Sequence, residues 1–237
     1  MTNIVILNGR AHRDLQIDAR ASAALGDNQN FVPVVVSEFG VLALQYPILM
    51  SKNSETGAFY CGAMLGFDAG ENLFLRQGGG HDGYRPLFMQ RAPFLAAGRE
   101  LAIDLDSPRI NPPTEGRALF AETGEPTAYL ESIFNAMREL TPGIERTKIF
   151  VDTLIDLRLV EPVDIKLGFD DGVNLELTGL YTINKSALHD LPDQKVVELF
   201  RRGYLNLIYL MIASISHVHS LAQKRNDRLL DATSSLT

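Results

Sequence analysis

The chain has 237 residues, 46% of them hydrophobic and 22% charged, which is the composition of an ordinary globular protein long enough to bury its own core. Twenty-two basic against 29 acidic side chains give a net charge of −7, a surface that repels phosphate backbones and argues against nucleic-acid binding. One cysteine, Cys61, forms no internal bridge, which argues against a disulfide-stapled secreted module and for a cytoplasmic location.

In chain order, 4–7 reads as a short strand with no basic lead-in and no small-residue cleavage site, unlike a signal peptide. Residues 12–30 are polar and Ala-rich and read as mixed strand, loop and turn. The β-branched run 31–36 predicts a buried strand or extended entry segment. Ser37 stands at an N-cap position, Glu38 favours a first turn, and Phe39, Leu42 and Ala43 recur at helical spacing. Tyr46-Pro47 ends that helix, because the residue before proline avoids the α region.

Residues 48–50 and 58–67 read as two strands of a hairpin around the turn 52–57, and 72–75 as a third strand. The segment 77–83 carries four glycines and reads as a solvated loop. It lacks the Lys-Ser or Lys-Thr pair of a phosphate-binding loop and the glycine offsets of a dinucleotide fingerprint. Residues 85–94 predict a short helix stopped at Pro93, and 101–105 an edge or half-exposed strand. The stretch 106–126 is loop-rich and offers the most plausible place for a domain boundary, although one domain, 1–237 with its core at about 28–220, is the preferred organisation.

The second half changes character. Residues 127–140 form an amphipathic pattern broken at Thr141-Pro142-Gly143 and resumed over 144–157. Two alternating strands, 163–169 and 173–183, flank Asp170-Asp171-Gly172, a strong hairpin signal. A helical turn at 184–188 precedes a long helix over 193–223, bent at Gly203. Its run 204–215 is shorter than the roughly 20 apolar residues a bilayer requires and reads as a core helix. Its broad apolar face also leaves room for a homodimer through residues 194–223. Strands that neighbour as hairpins, with no one-by-one interleaving of helices, indicate α+β: a mostly antiparallel, hairpin-rich sheet packed against C-terminal helices.

No catalytic motif stands out, so enzymatic activity is the less favoured reading. Cys61 lies in an apolar strand, where a thiol stays protonated and inert. His217 and His219 point to different sides of a helix and do not make a metal site; no metal or cofactor is expected. Glu38, Glu71, Asp104 and Glu115 each sit beside apolar elements, where a cap, turn or ion pair is the commoner role than proton transfer.

Several strings share an order and spacing: Phe31-Val32-Pro33-Val34-Val35 with Glu38-Phe39; Tyr46-Pro47-Ile48; Gly70-Glu71-Asn72-Leu73-Phe74; Arg91 with Pro93-Phe94; Ile103-Asp104; Glu115-Gly116 with Leu119-Phe120; and Gly179-Leu180. Together they resemble the SapC family from about residue 28 to residue 220. The resemblance implies a bacterial accessory or binding protein associated with surface-layer export or outer-membrane nutrient uptake. Family members also stand beside flavin-dependent halogenases, so a protein partner in a transport or halogenase-associated system is implied. Gln90 and Ala92 depart from the pattern, where a second arginine and a tyrosine are expected before Pro93-Phe94.

A ligand pocket in this reading is lined by Tyr46, Glu71, Asn72, Arg91 and Phe94, with Asp104 nearby and Arg91 pairing with Glu71 or Asp104. The bland reading makes the same residues fold determinants. The alternative function is an enzyme acting on a small molecule or peptide, with Glu71, Asp104 or His81 moving protons and Arg91 holding an anion.

Overall fold

The computed structural model describes residues 3–112 and 116–234, with side chains described to 231. In chain order the elements are β1 (Ile4–Ile6), β2 (Gln16–Ile17), β3 (Phe31–Pro33), α1 (Phe39–Leu42), β4 (Ile48–Lys52), β5 (Phe59–Met64), α2 (Leu87–Gln90), β6 (Phe94–Ala97), β7 (Glu100–Asp104) and β8 (Arg117–Ala118). There follow α3 (Ala128–Asp156), β9 (Val160–Gly168), β10 (Asn174–Ile183), α4 (Lys185–His189), α5 (Asp193–Arg201), α6 (Tyr204–Ser214) and α7 (His217–Ser234). All strand pairs among them are antiparallel, so the fold is α+β as the hairpin pattern indicates.

The chain clusters into two compact units, Met1–Asn28 with Phe74–Pro142 and Gln29–Leu73 with Gly143–Thr237. The loop-rich stretch 106–126 is not a boundary between them. It lies within the first unit, tied to the N-terminal segment by the β2–β8 pair and by the bridge from Ile17 to Ile110.

In the first unit, a three-stranded sheet in the order β1-β7-β6 packs with the start of α3 around Ile17, Phe94, Leu101, Ile103, Leu119, Leu130 and Ile133. The segment 101–105 reads as an edge or half-exposed strand. It forms instead most of the central strand, and Leu101, Ala102 and Ile103 are buried. The helix expected over 85–94 shrinks to α2, because Phe94 pairs with Ile103 and starts β6 after a cis Ala92-Pro93 bond.

In the second unit, a five-stranded sheet in the order β3-β5-β4-β10-β9 joins the two predicted hairpins, with Tyr181 of β10 opposite Met50 of β4. C-terminal helices pack on it: Ser214 of α6 accepts the Ile48 amide at 2.9 Å, and Phe39, Phe150 and Tyr204 stack edge to face. The tract Tyr204–Asp231 is long and apolar enough to cross a membrane by length and composition, yet it is interrupted after Ser214, and Ile208, Met211, Val218 and Leu221 are buried.

Four other sequence expectations need correction. Ser37 does not cap; it lies in a 3-10 turn, Val36–Glu38, where the Glu38 carboxylate accepts the Val35 amide at 3.0 Å. Residues 72–75 form no strand beyond the bridge of Leu75 to His81, since Glu71 folds the preceding turn by accepting the Phe67 amide at 2.7 Å. Pro142 does not end its helix. A proline in a helix interior costs roughly 3 kcal/mol, but the residues beyond it bury Phe150, Val151 and Leu154, and Gly143 lets Val35 approach to where a Cβ would stand 2.9 Å away. Finally, the predicted long helix is three helices, separated at Gly203, whose φ is 74°, and at Ile215-Ser216.

Candidate functional site

The residues expected to line a pocket divide between the units. Tyr46, Glu71 and Asn72 belong to the second, and Arg91, Phe94 and Asp104 to the first. Tyr46 and Asn72 are buried, and Glu71, besides its turn contacts, stands 3.9 Å from Arg225. In the first unit Arg91 donates through Nη1 to the Phe94 carbonyl and lies over the Phe88 ring, 5.5 Å from its centroid. Asp104 accepts the Asp106 amide at 3.1 Å and donates its own amide to the Pro93 carbonyl. The backbone contacts of Glu71, Arg91 and Asp104 build turns and strand ends. Glu115 lies outside the described residues. His217 contacts the Ala43 carbonyl at 2.9 Å, and no group of three metal-ligating side chains exists among the described residues. Burial pushes the Cys61 thiol up to about 12, which leaves it protonated and unreactive at neutral pH.

A different set of residues, all in the first unit, has the chemistry of a site. Asp18 leaves the end of β2, and Asp27 follows the 3-10 turn Ala23–Leu25. Arg85 enters α2, Arg109 sits in the loop after β7, Arg117 is in β8, and Tyr129 opens α3. At the centre is the carboxylate of Asp27, a buried residue. Its Oδ1 accepts from Arg85 Nη2 at 2.8 Å, and its Oδ2 accepts from Arg109 Nη2 at 2.6 Å and from the Ser22 amide at 2.8 Å. Arg109 is 1% exposed and also donates Nη1 to the carbonyls of Asp18 and Arg20, at 3.0 and 2.9 Å. Asp18 pairs with Arg20 at 2.6 Å, and this hydrogen bond holds its carboxyl below the usual aspartate range.

These side chains border a cavity of about 220 Å³. Arg85, Arg109, Arg117, Gln90, Tyr129 and Ser132 supply its polar lining; Ala19, Ala92, Ile133 and Ala136 supply the apolar part. Three guanidinium charges against the single charge of Asp27 leave a surplus of two positive charges, the Asp18–Arg20 pair being neutral. Two donors are unused: the buried Nε–H groups of Arg85 and Arg109 have no hydrogen-bond partner. Burial lowers the Arg85 pKa and raises that of Tyr129, so the phenol stays protonated and able to donate. The Arg117 guanidinium lies over the Tyr129 ring, 5.8 Å from its centroid.

A larger groove of about 460 Å³ runs along Leu101, Phe134 and Met137. Its charged lining, Arg99 and Arg138 against Glu100 and Glu131, is balanced, and among the described residues none of its lining side chains has a buried polar atom without a partner. The smaller cavity is the one whose lining carries an uncompensated charge, and two of the arginines that supply it are held in place by Asp27.

Sequence reasoning missed this cluster. Arg109 and Asp27 are 82 positions apart, and Arg85 and Asp27 are 58 apart, so no local spacing announces either pair. The faint signals are an arginine directly after Pro108 and an aspartate directly after Gly26, both in loops rich in turn residues.

Among families of known proteins, the model described as SapC matches residues 7–221 of the chain. No curated protein and no solved structure gives a match.

Proposed function

Because the chain belongs to the SapC family, we propose that it is a non-catalytic accessory protein that binds a small anion and works in the cytoplasm beside a surface-layer export or outer-membrane uptake system. Family membership supports the setting, and the cavity of the first unit supports the ligand class. The observation that carries the reading is the concentration of three arginines around one partly enclosed space in a protein of net charge −7. Arginine forks match the oxygen pairs of carboxylates and phosphates, and charges withdrawn from water are screened far less by salt than those on the surface.

The test is to purify the protein gently from its host and compare wild type with Arg117→Gln. Arg117 is exposed, so its replacement is expected to leave the fold intact. Native mass spectrometry of the wild type is expected to show a small anion that Arg117→Gln fails to retain. A wild-type protein that carries none, and whose melting temperature no anion raises above the shift seen for Arg117→Gln, refutes the reading.

A further inference from the structure

We propose that the anion held in the 220 Å³ cavity is a short dicarboxylate with a skeleton of about four carbons, an inference that rests on the anion-binding reading above. Three features of the lining select it.

The first is charge. A surplus of two positive charges is matched by a dianion, whereas a monocarboxylate leaves one guanidinium uncompensated. The second is the placement of the cations. Asp27 already occupies one Nη of Arg85 and one of Arg109, and carbonyls take the remaining Nη of each. Their Nε–H groups are shielded from water, so these two arginines act on one carboxylate through their charge. Arg117 and the Tyr129 hydroxyl are separate donors on the same cavity and suit a second carboxylate.

The third feature is the apolar lining of Ala19, Ala92, Ile133 and Ala136. A phosphate ion brings no carbon to cover it, so water must remain against it; a chain of methylenes displaces that water favourably. Size agrees. At roughly 30 Å³ for each water-sized volume, 220 Å³ accommodates about seven such volumes, close to the non-hydrogen atoms of succinate and more than those of phosphate.

Isothermal titration calorimetry of the full chain at fixed ionic strength, with succinate, butyrate and inorganic phosphate as probes, separates the possibilities. Succinate is expected to bind at least tenfold more tightly than either of the others, and Arg117→Gln to reduce succinate affinity at least tenfold while leaving the unfolding midpoint in place. Phosphate binding as tightly as succinate overturns the dicarboxylate while the anion-binding reading stands. Butyrate matching succinate overturns it equally, by showing that the second carboxylate is unrecognised. If no probe binds, the anion-binding reading falls and the dicarboxylate with it.

Discussion

Replacing Asp27 by asparagine isolates the central interaction of the first unit. The substitution keeps the size of the side chain and removes its charge. In the native protein that charge faces Arg109 Nη2 at 2.6 Å and Arg85 Nη2 at 2.8 Å, with the three side chains 3%, 1% and 17% exposed. An asparagine offers one acceptor oxygen where the carboxylate offers two. Its amide group, itself a donor, then meets one of the guanidiniums. Two buried cations lose their counter-ion together, and breaking a buried pair in this way costs about 3–5 kcal/mol. Equilibrium urea unfolding of Asp27→Asn against wild type measures the loss. The double variant Asp27→Asn/Arg109→Met is expected to be less destabilised than the sum of its single changes, because the second change removes the charge that the first stranded. Asp27→Asn alone raises the positive surplus of the cavity from two to three, so phosphate salts are expected to stabilise that single variant more than they stabilise wild type. A loss below about 1 kcal/mol, the range of exposed pairs, would refute the burial and coupling on which both the site and its ligand class depend.

Other outcomes follow from single residues. Burial, and next the charge of Arg85, hold the His81 pKa down, so the unfolded chain takes up a proton near pH 6.5 while the folded chain resists it. Stability is therefore expected to fall as pH drops below that value, and His81→Gln to flatten the slope between about pH 6.5 and 5, read by urea unfolding at stepped pH. Cys61, with its thiol raised to about 12, is expected to be inert to a thiol reagent at pH 8 in the folded protein and reactive in urea; fast labelling without denaturant would contradict its placement. Gly62→Ala puts a Cβ 2.2 Å from the Phe31 ring across the β3–β5 pair and is expected to cost about 1–3 kcal/mol, whereas an unchanged unfolding midpoint would show that the ring moves away freely.

The fold was legible wherever a local rule and the tertiary environment agreed. Asn53 and Gly57 in one turn and Gly172 in the other did announce the β4–β5 and β9–β10 hairpins, and the helical turn read at 184–188 is α4. Legibility failed where a local rule was overruled from a distance. Pro142 reads as a helix end, but the burial of Phe150 and Leu154 beyond it outweighs the lost hydrogen bond. The run 193–223 reads as one helix bent at Gly203; the left-handed backbone there divides it outright, and a second break at 215–216 has no signal in the sequence.

By itself, then, the order of residues determined the α+β class, the antiparallel hairpins, the inert cysteine and the family, because each depends on neighbours close along the chain or on strings that keep their spacing. The pairing of Asp27 with Arg85 and Arg109, and the cavity they border with Arg117 and Tyr129, were decided only in three dimensions. The Coulomb attraction that assembles them depends on distance through space and on exclusion of water, and neither quantity is written into the separation of residues along the chain.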